Sequence, residues 1–315
     1  MIEVTELTKA YPGKCALDRV SFKVEKGEVA GFLGLNGAGK TTTMRILSCF
    51  LAPTAGTATV AGFDVVRQSM DVRRRVGYLP ESNPLYTEMR VEEYLSFRAR
   101  IKGVDPKSRA TRVDRVLERV SLSDRRRSVI QHLSKGLRQR VGLADAIVHD
   151  PEIIILDEPT IGLDPTQLRE IRDLIRELGK EHTILFSSHI LSEVEKVCGR
   201  VIIINEGKVV EQGTLHDIAA RHMKSNRIRL EIRGDGRAIK EVLATTPGVG
   251  NLLWSPKGDM NTYLVESLDG KDVRPELFRC CTAQGWEVYE LGFERRSLEE
   301  VFHRLTEGAS DGVAS

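Results

Sequence analysis

The chain has 315 residues, 41% hydrophobic and 29% charged, with 47 basic against 45 acidic side chains and a net charge of +2. That length suits one large domain with a small one, or two medium ones, and the near-neutral charge gives no whole-chain argument for nucleic-acid binding. No apolar run approaches the ~18 residues that span a bilayer, MIEVTELTKAYPG lacks the layout of a secretory signal, and five cysteines without disulfide or metal-ligand spacing favour a reducing cytosol.

In chain order, Val29–Leu35 (VAGFLGL) reads as a β-strand and runs into GLNGAGKTT; Met44, Leu47 and Leu51 then share one helix face. Gly34–Thr41 has the spacing G-x-x-x-x-G-K-[ST]. Its glycines let the backbone N–H groups from Gly34 through Leu35, Asn36, Gly37, Ala38 and Gly39 curl around phosphate oxygens. The helix entered at Lys40, Thr41 and Thr42 turns its positive end to the same anion. Lys40 can reach the terminal phosphates, and the Thr41 hydroxyl can ligate Mg²⁺. A glycine turn without a ligand is the alternative, and the strand before and helix after argue against it.

Pro106–Val120 is expected to be helical, capped by Asp105, with Val113, Val116, Leu117 and Val120 as its apolar stripe. The runs Arg73–Arg75 and Arg125–Arg127 read as solvated helix ends rather than contacts to nucleic acid or anionic lipid. Asp114, Glu118 and Asp124 interleave with them, and no aromatic platform accompanies them. Ser134 and Gly136 precede an apolar helix through Val141, Leu143 and Ala146–Val148, a second helix start suited to an anion.

Glu152–Leu156 is a continuous apolar run, as in a strand buried on both faces. It ends in Asp157 and Glu158. A phosphate site of this kind needs an acidic metal ligand at a neighbouring strand end, which is the place of Asp157. Adjacent strand residues point to opposite sides, so Glu158 is expected to face the γ-phosphate and deprotonate a water, with Pro159 ending the strand. Thr183–Ser187 and Arg200–Asn205 are further strands, and the alternation with helices argues for an α/β, parallel sheet.

Near HMKSNR (His222–Arg227) the texture changes to a linker. Ile228–Arg233, a helix to Ala244, strands around Leu252 and Tyr263, a helix Pro275–Gln284 and the strand WEVYEL suggest a small ferredoxin-like α+β domain. A last helix carries Leu298, Val301, Phe302 and Leu305 on one face behind a Ser297/Glu300 capping box. The expected domains are 1–222 and 227–306, with a disordered tail at 307–315. Cys280-Cys281 reads as helix packing before any redox pair.

Together with three more stretches, these residues resemble the ATP-binding subunit of an ABC transporter over about residues 2–220. LSKGLRQR (Leu133–Arg140) is similar to the signature sequence, GLDP (Gly162–Pro165) to the D-loop with Asp164, and SSH (Ser187–His189) to the switch-histidine segment. Tyr11 stands where the family stacks a ring on adenine. The resemblance implies a P-loop NTPase fold of the ABC type with a helical signature subdomain, and ATP with Mg²⁺ as cofactors. It implies that Ser134 and Gly136 serve the nucleotide of a second ATPase subunit, in the simplest case a second copy. His189 then senses the γ-phosphate through a ring N–H while Glu158 is the base; by itself it would read as a packed or surface histidine.

Two positions depart from the family pattern. Lys135 and Leu137 replace the commonest signature residues, and Glu81 stands at the Q-loop glutamine, where its oxygen can still serve Mg²⁺ or water. The GYLPE segment and SLEEVFHRLTEG resemble the ABC-2 exporter group, in which Asn83–Met89 would dock a separate integral-membrane permease. This implies an export ATPase, cytoplasmic and peripheral on the membrane's cytoplasmic face, with no nucleic-acid partner. The alternative is a soluble non-transport ABC ATPase acting on ribosome or DNA. The doubled ATPase unit or long coiled coil usual for those proteins is absent from the sequence.

Overall fold

The computed structural model describes residues 1–222, 227–268, 271–294 and 298–307. Residues 223–226 of the expected linker, the Ser297 cap and the tail beyond Glu307 lie outside them. No helix of the described residues is long and apolar enough to cross a membrane. The chain forms two compact units, Met1–Asp217 with the segment from Phe302, and Ile218–Val301. The last helix is divided between them.

The first unit opens with β1 (Ile2–Tyr11), β2 (Lys14–Val24), β3 (Val29–Leu33), α1 (Lys40–Leu47), β4 (Ala55–Val60) and β5 (Phe63–Asp64). β2, β1, β4 and β5, in that order, make an antiparallel sheet absent from the sequence reading. The reason is local. Glu6 and Arg19 take left-handed backbone angles at register shifts between β1 and β2, so the period-two signal slips mid-strand.

Next come α2 (Ser69–Arg75), β6 (Val76–Leu79), α3 (Val91–Ile101), α4 (Arg109–Arg119), α5 (Lys135–Ile147) and β7 (Ile153–Asp157). α4 begins later than expected. Asp105 Oδ1 accepts from Lys107 N at 2.7 Å, which closes a side-chain turn, and Ser108 becomes the helix cap position. The arginine runs are engaged within the chain: Arg126 pairs with Glu92 and Asp114, and Arg75 pairs with Glu152. The unit closes with α6 (Pro165–Gly179), β8 (Thr183–Ser188), α7 (Leu191–Val197), β9 (Arg200–Asn205), β10 (Lys208–Thr214) and α8 (Leu215–His222).

The main sheet is ordered β10-β9-β3-β8-β7-β6, parallel except for β10. All five residues of β7 are buried, which its unbroken apolar run requires of a strand covered on both faces. Because β6, β7, β8 and β3 run the same way, their C-terminal ends meet on one edge, where open α/β sheets hold ligands.

The second unit runs β11 (Arg227–Arg233), α9 (Gly236–Ala244), β12 (Val249–Lys257), β13 (Met260–Ser267), α10 (Arg274–Ala283) and β14 (Val288–Phe293), followed by α11 (Leu298–Glu307). The sheet order β12-β13-β11-β14, antiparallel throughout, is that of a ferredoxin-like α+β fold. Ile228, Leu230 and Ile232 alternate into its core beside Leu243, Tyr263 and Leu277. Cys281 is buried in that core and Cys280 packs against it.

One half-buried base is expected to make the fold acid-sensitive. His149, just past α5, lies with Nε2 3.1 Å from the Val76 carbonyl, and burial, helped by Lys102, pushes its pKa down to about 4. The unfolded chain takes up this proton below about pH 6.5, the ordinary histidine value. The contribution is therefore complete above that pH and is lost as pH falls towards 4, about 3 kcal/mol in all. Urea midpoints measured between pH 7 and 4.5 should fall less steeply for His149→Phe than for the native chain; equal slopes would refute this.

Candidate nucleotide-binding site

Four strand ends build the site. After β3 the backbone leaves the sheet at Gly34, whose N–H still donates to the Ser188 carbonyl at 3.3 Å. A Cβ on Gly34 would lie 2.4 Å from the Ile204 carbonyl oxygen, so only glycine fits. Gly39 has φ +110°, a left-handed angle, and a Cβ there would lie 2.8 Å from the Ala16 carbonyl. Gly39 also caps α1 without a side-chain acceptor, so no side chain competes there with an incoming anion.

Beside the loop is a cavity of about 380 Å³. Tyr11, Asn36, Gly37, Gly39, Lys40, Thr41, Thr42, Glu81 and Glu158 line it, and so do three residues the sequence did not single out, Lys14, Ala16 and Ile161. Gly34, Leu35 and Ala38 support the loop from behind. The Gly34 and Leu35 carbonyls accept from Lys40 Nζ at 2.8 and 3.2 Å, and the Ala38 carbonyl accepts from Gly207 N.

Three titratable side chains meet at the cavity wall. Lys40 Nζ is 3.1 Å from Glu158 Oε1, and His189 Nδ1 is 2.9 Å from Glu158 Oε2. An ionised Glu158 can only accept, so the Nδ1 proton of His189 points at Glu158. The neutral ring then has no N–H left for a phosphate; only the imidazolium offers Nε2–H as well. His189 is not among the lining residues and reaches the cavity wall through Glu158.

The two carboxylates are separated differently from the strand alternation expected. β7 ends at Asp157, and Glu158 itself has φ +49°. A left-handed turn, not the pleat, aims the two side chains apart, and Pro159 follows a strand already ended. Such a conformation costs a non-glycine residue about 1–3 kcal/mol. Ser187, at the end of β8, stitches the turn: its hydroxyl donates to Asp157 Oδ1 at 2.7 Å and accepts from Glu158 N at 2.9 Å. No role for Ser187 was legible beforehand, although it sits in the SSH segment.

Asp157 is fully buried. Burial raises its pKa above the ordinary carboxylate range, and the hydroxyls of Ser187 and Thr41 pull the other way. Its Oδ2 has no hydrogen-bond partner. An orphaned carboxylate oxygen beside the Thr41 hydroxyl is the donor set a hard divalent cation takes. No cluster of three or more His, Cys, Asp or Glu side chains suited to a metal occurs among the described residues, so phosphate or water oxygens would have to complete the shell.

Ser134, Gly136 and Asp164 do not line this cavity. Ser134 caps α5, its Oγ accepting from Leu137 N at 3.3 Å, and Gly136 is buried against Gln167. Asp164 caps α6 by accepting from Thr166 N and Gln167 N. Lys135 places its ammonium over Gly162 of the D-loop segment.

Residues 17–161 match the family model of the ABC transporter. Over 99% of this chain and 99% of the relative, the sequence is 35% identical to the bacitracin transport ATP-binding protein BcrA of Bacillus licheniformis. The chain belongs to the ABC transporter ATP-binding proteins. It is also 34% identical to the daunorubicin resistance ATP-binding protein DrrA3 of Streptomyces coeruleorubidus, over 97% of this chain and 95% of that one. The solved structure of an ATP-binding subunit of an ABC transporter superposes with a TM-score of 0.64 at 33% identity, covering 70% of this chain and 92% of the other. The chain is accordingly an ABC ATPase.

Glu81 is the carboxylate of the cavity wall that stands where the family resemblance expects glutamine. It is exposed and approaches Asp157 closely enough to raise its pKa slightly further. Glu81→Gln keeps the oxygen and removes a negative charge, so steady-state ATPase turnover should stay within about threefold of the native rate. Complete loss would mean that the carboxylate itself is required.

Proposed function

We propose that the chain hydrolyses MgATP as one of two ATPase subunits and thereby drives a separate membrane permease, in the direction of export. The observation that carries the catalytic part is the line Lys40–Glu158–His189 beside the phosphate loop, its lysine and glutamate buried and its histidine half-buried. Adenine stacks on Tyr11 and the phosphates lie along Gly34–Thr42. Lys40 exchanges Glu158 for phosphate oxygens, which frees Glu158 Oε1 to take a proton from the attacking water. His189 holds the other carboxylate oxygen and orients the base. Thr41 and Asp157, with Glu81 at the rim, would hold Mg²⁺, which would supply charge neutralisation at the phosphates.

The second subunit is supported by what the cavity lacks. Ser134 and Gly136 open the thirteen-residue helix α5, an anion-ready start that serves no nucleotide in its own chain. In a head-to-tail pair that start, with Asp164 nearby, closes over the partner's ATP, so ATP joins the subunits and hydrolysis releases them. The permease is supported by a second cavity of about 320 Å³, between Leu79–Pro84 and the helices α3 and α5, with Phe50 exposed at its rim. Asn83 there donates to the Arg138 carbonyl of α5 at 3.0 Å, a direct path from a docked partner to the signature helix. Relatives over the full length are named for bacitracin transport and daunorubicin resistance, which favours export. That role places the chain at the cytoplasmic face of the membrane.

The test is recovery of tagged Glu158→Gln chain, with ATP, from detergent-solubilised native membranes. Co-purification of a multispanning protein supports the reading. Recovery only from the soluble fraction, with ribosomes or nucleic acid, would leave the ATPase chemistry and overturn transport.

A further inference from the structure

Glu193 on α7 has no part in the machinery above, yet its carboxyl is buried, with 3% of the residue exposed. A carboxylate so placed is costly unless it is hydrogen-bonded. One oxygen, Oε2, accepts from Thr160 Oγ1 at 2.6 Å and from Ser188 Oγ at 3.1 Å. The two hydroxyls belong to the two segments that carry the chemistry. Thr160 lies two residues beyond Glu158, and Ser188 immediately precedes His189. The Ser188 carbonyl also accepts from Gly34 N at the head of the phosphate loop.

Between these anchors Glu158 sits in its left-handed turn, a conformation that persists only where the surroundings hold it. The turn is gripped from a second side by Gln139 of α5, whose Nε2 donates to the Pro159 carbonyl at 2.8 Å in a buried contact. Gln139 and Glu193 therefore fix consecutive residues, Pro159 and Thr160, just downstream of the base. Only Glu193 also reaches the histidine segment.

We propose that Glu193 is a positioning residue for hydrolysis: by accepting from Thr160 and Ser188 it holds Glu158 and His189 in one fixed geometry. This rests on the reading of Glu158 as base and His189 as its orienting partner. Both donors are neutral hydroxyls, so the requirement is for an acceptor oxygen rather than a negative charge. A glutamine amide oxygen meets it.

The effect belongs in the chemical step. The phosphate loop and Tyr11 keep their own contacts when Glu193 is changed, whereas displacement of a base by about 1 Å can cost about 100-fold in rate. On the purified full chain, Glu193→Ala should lower kcat for MgATP by about 100-fold, with the Kd for ATP within about threefold of native. Glu193→Gln should recover most of the rate. Thr160→Val should cost about tenfold in kcat by itself and little more on top of Glu193→Ala, because both remove the same bond.

Native kcat in Glu193→Ala, a Glu193→Gln as impaired as the alanine variant, or equal losses in affinity and kcat would each overturn the proposal. If Glu193→Ala does not fold, Thr160→Val and Ser188→Ala carry the test: reduced kcat at native Kd supports it, and native kcat in both overturns it. Glu158→Gln run alongside separates the two levels. An active Glu158→Gln removes the reading of the base. An inactive one beside a fully active Glu193→Ala or Thr160→Val removes this inference alone.

Discussion

Glu158→Gln should reduce ATP turnover by about 10²–10⁴-fold, the usual worth of a general base, and leave ATP binding intact. The amide cannot take the water's proton, but it still fills the space between Lys40 and His189. Lys40 also keeps the Gly34 and Leu35 carbonyls as acceptors. The variant therefore folds, binds and stalls, and size-exclusion chromatography with ATP should show it accumulating as a dimer. His189→Ala should act in the same direction, because the Glu158 Oε2 contact at 2.9 Å is what orients the base. Single-turnover hydrolysis with radiolabelled ATP decides the matter. A burst of phosphate at near-native rate in Glu158→Gln would mean that another group takes the proton.

Lys40→Met should have the largest effect on affinity and a separate effect on stability. A charge-assisted hydrogen bond to phosphate is worth about 1.5–3 kcal/mol, or about 10–100-fold in Kd. The stability effect follows from the unliganded ion pair. The Lys40 and Glu158 side chains are only 5% and 6% exposed, so removing the ammonium strands a carboxylate where solvent cannot screen it. Breaking such a pair costs about 3–5 kcal/mol at most sites, less whatever His189 returns to Glu158. The double variant Lys40→Met, Glu158→Gln should regain most of the lost thermal stability while ATP affinity stays low. Denaturation curves with and without ATP separate the two effects. If the double variant is no more stable than Lys40→Met, the ion pair does not hold the unliganded site.

Much of this site was legible in the linear chain because its parts are local. Gly34–Thr41 builds a phosphate cradle from consecutive backbone groups, and the need for glycine at its tight places is a property of each residue. Asp157 and Glu158 stood out as adjacent carboxylates directly after an apolar run. The ferredoxin-like order of the second unit followed from clean alternation in stretches such as Ile228–Arg233. The N-terminal sheet was not legible, because left-handed residues at Glu6 and Arg19 break the alternation that marks a strand. Helix α4 was placed too early because Asp105 can close a side-chain turn as readily as it caps a helix.

The sequence by itself pointed to the family and singled out the phosphate loop and the acid pair as candidates, since each is encoded in contiguous residues whose chemistry depends on spacing alone. Only the tertiary structure decided that a left-handed turn rather than strand pleat aims Glu158, and that His189 Nδ1 lies 2.9 Å from its carboxyl. The tertiary structure also revealed Ser187, Gln139 and Glu193 as the supports of the turn. Their roles exist only where parallel strand ends bring β3, β7 and β8 together with α5 and α7. A serine hydroxyl or a buried carboxylate carries no sign in sequence of which distant donor or acceptor it will meet.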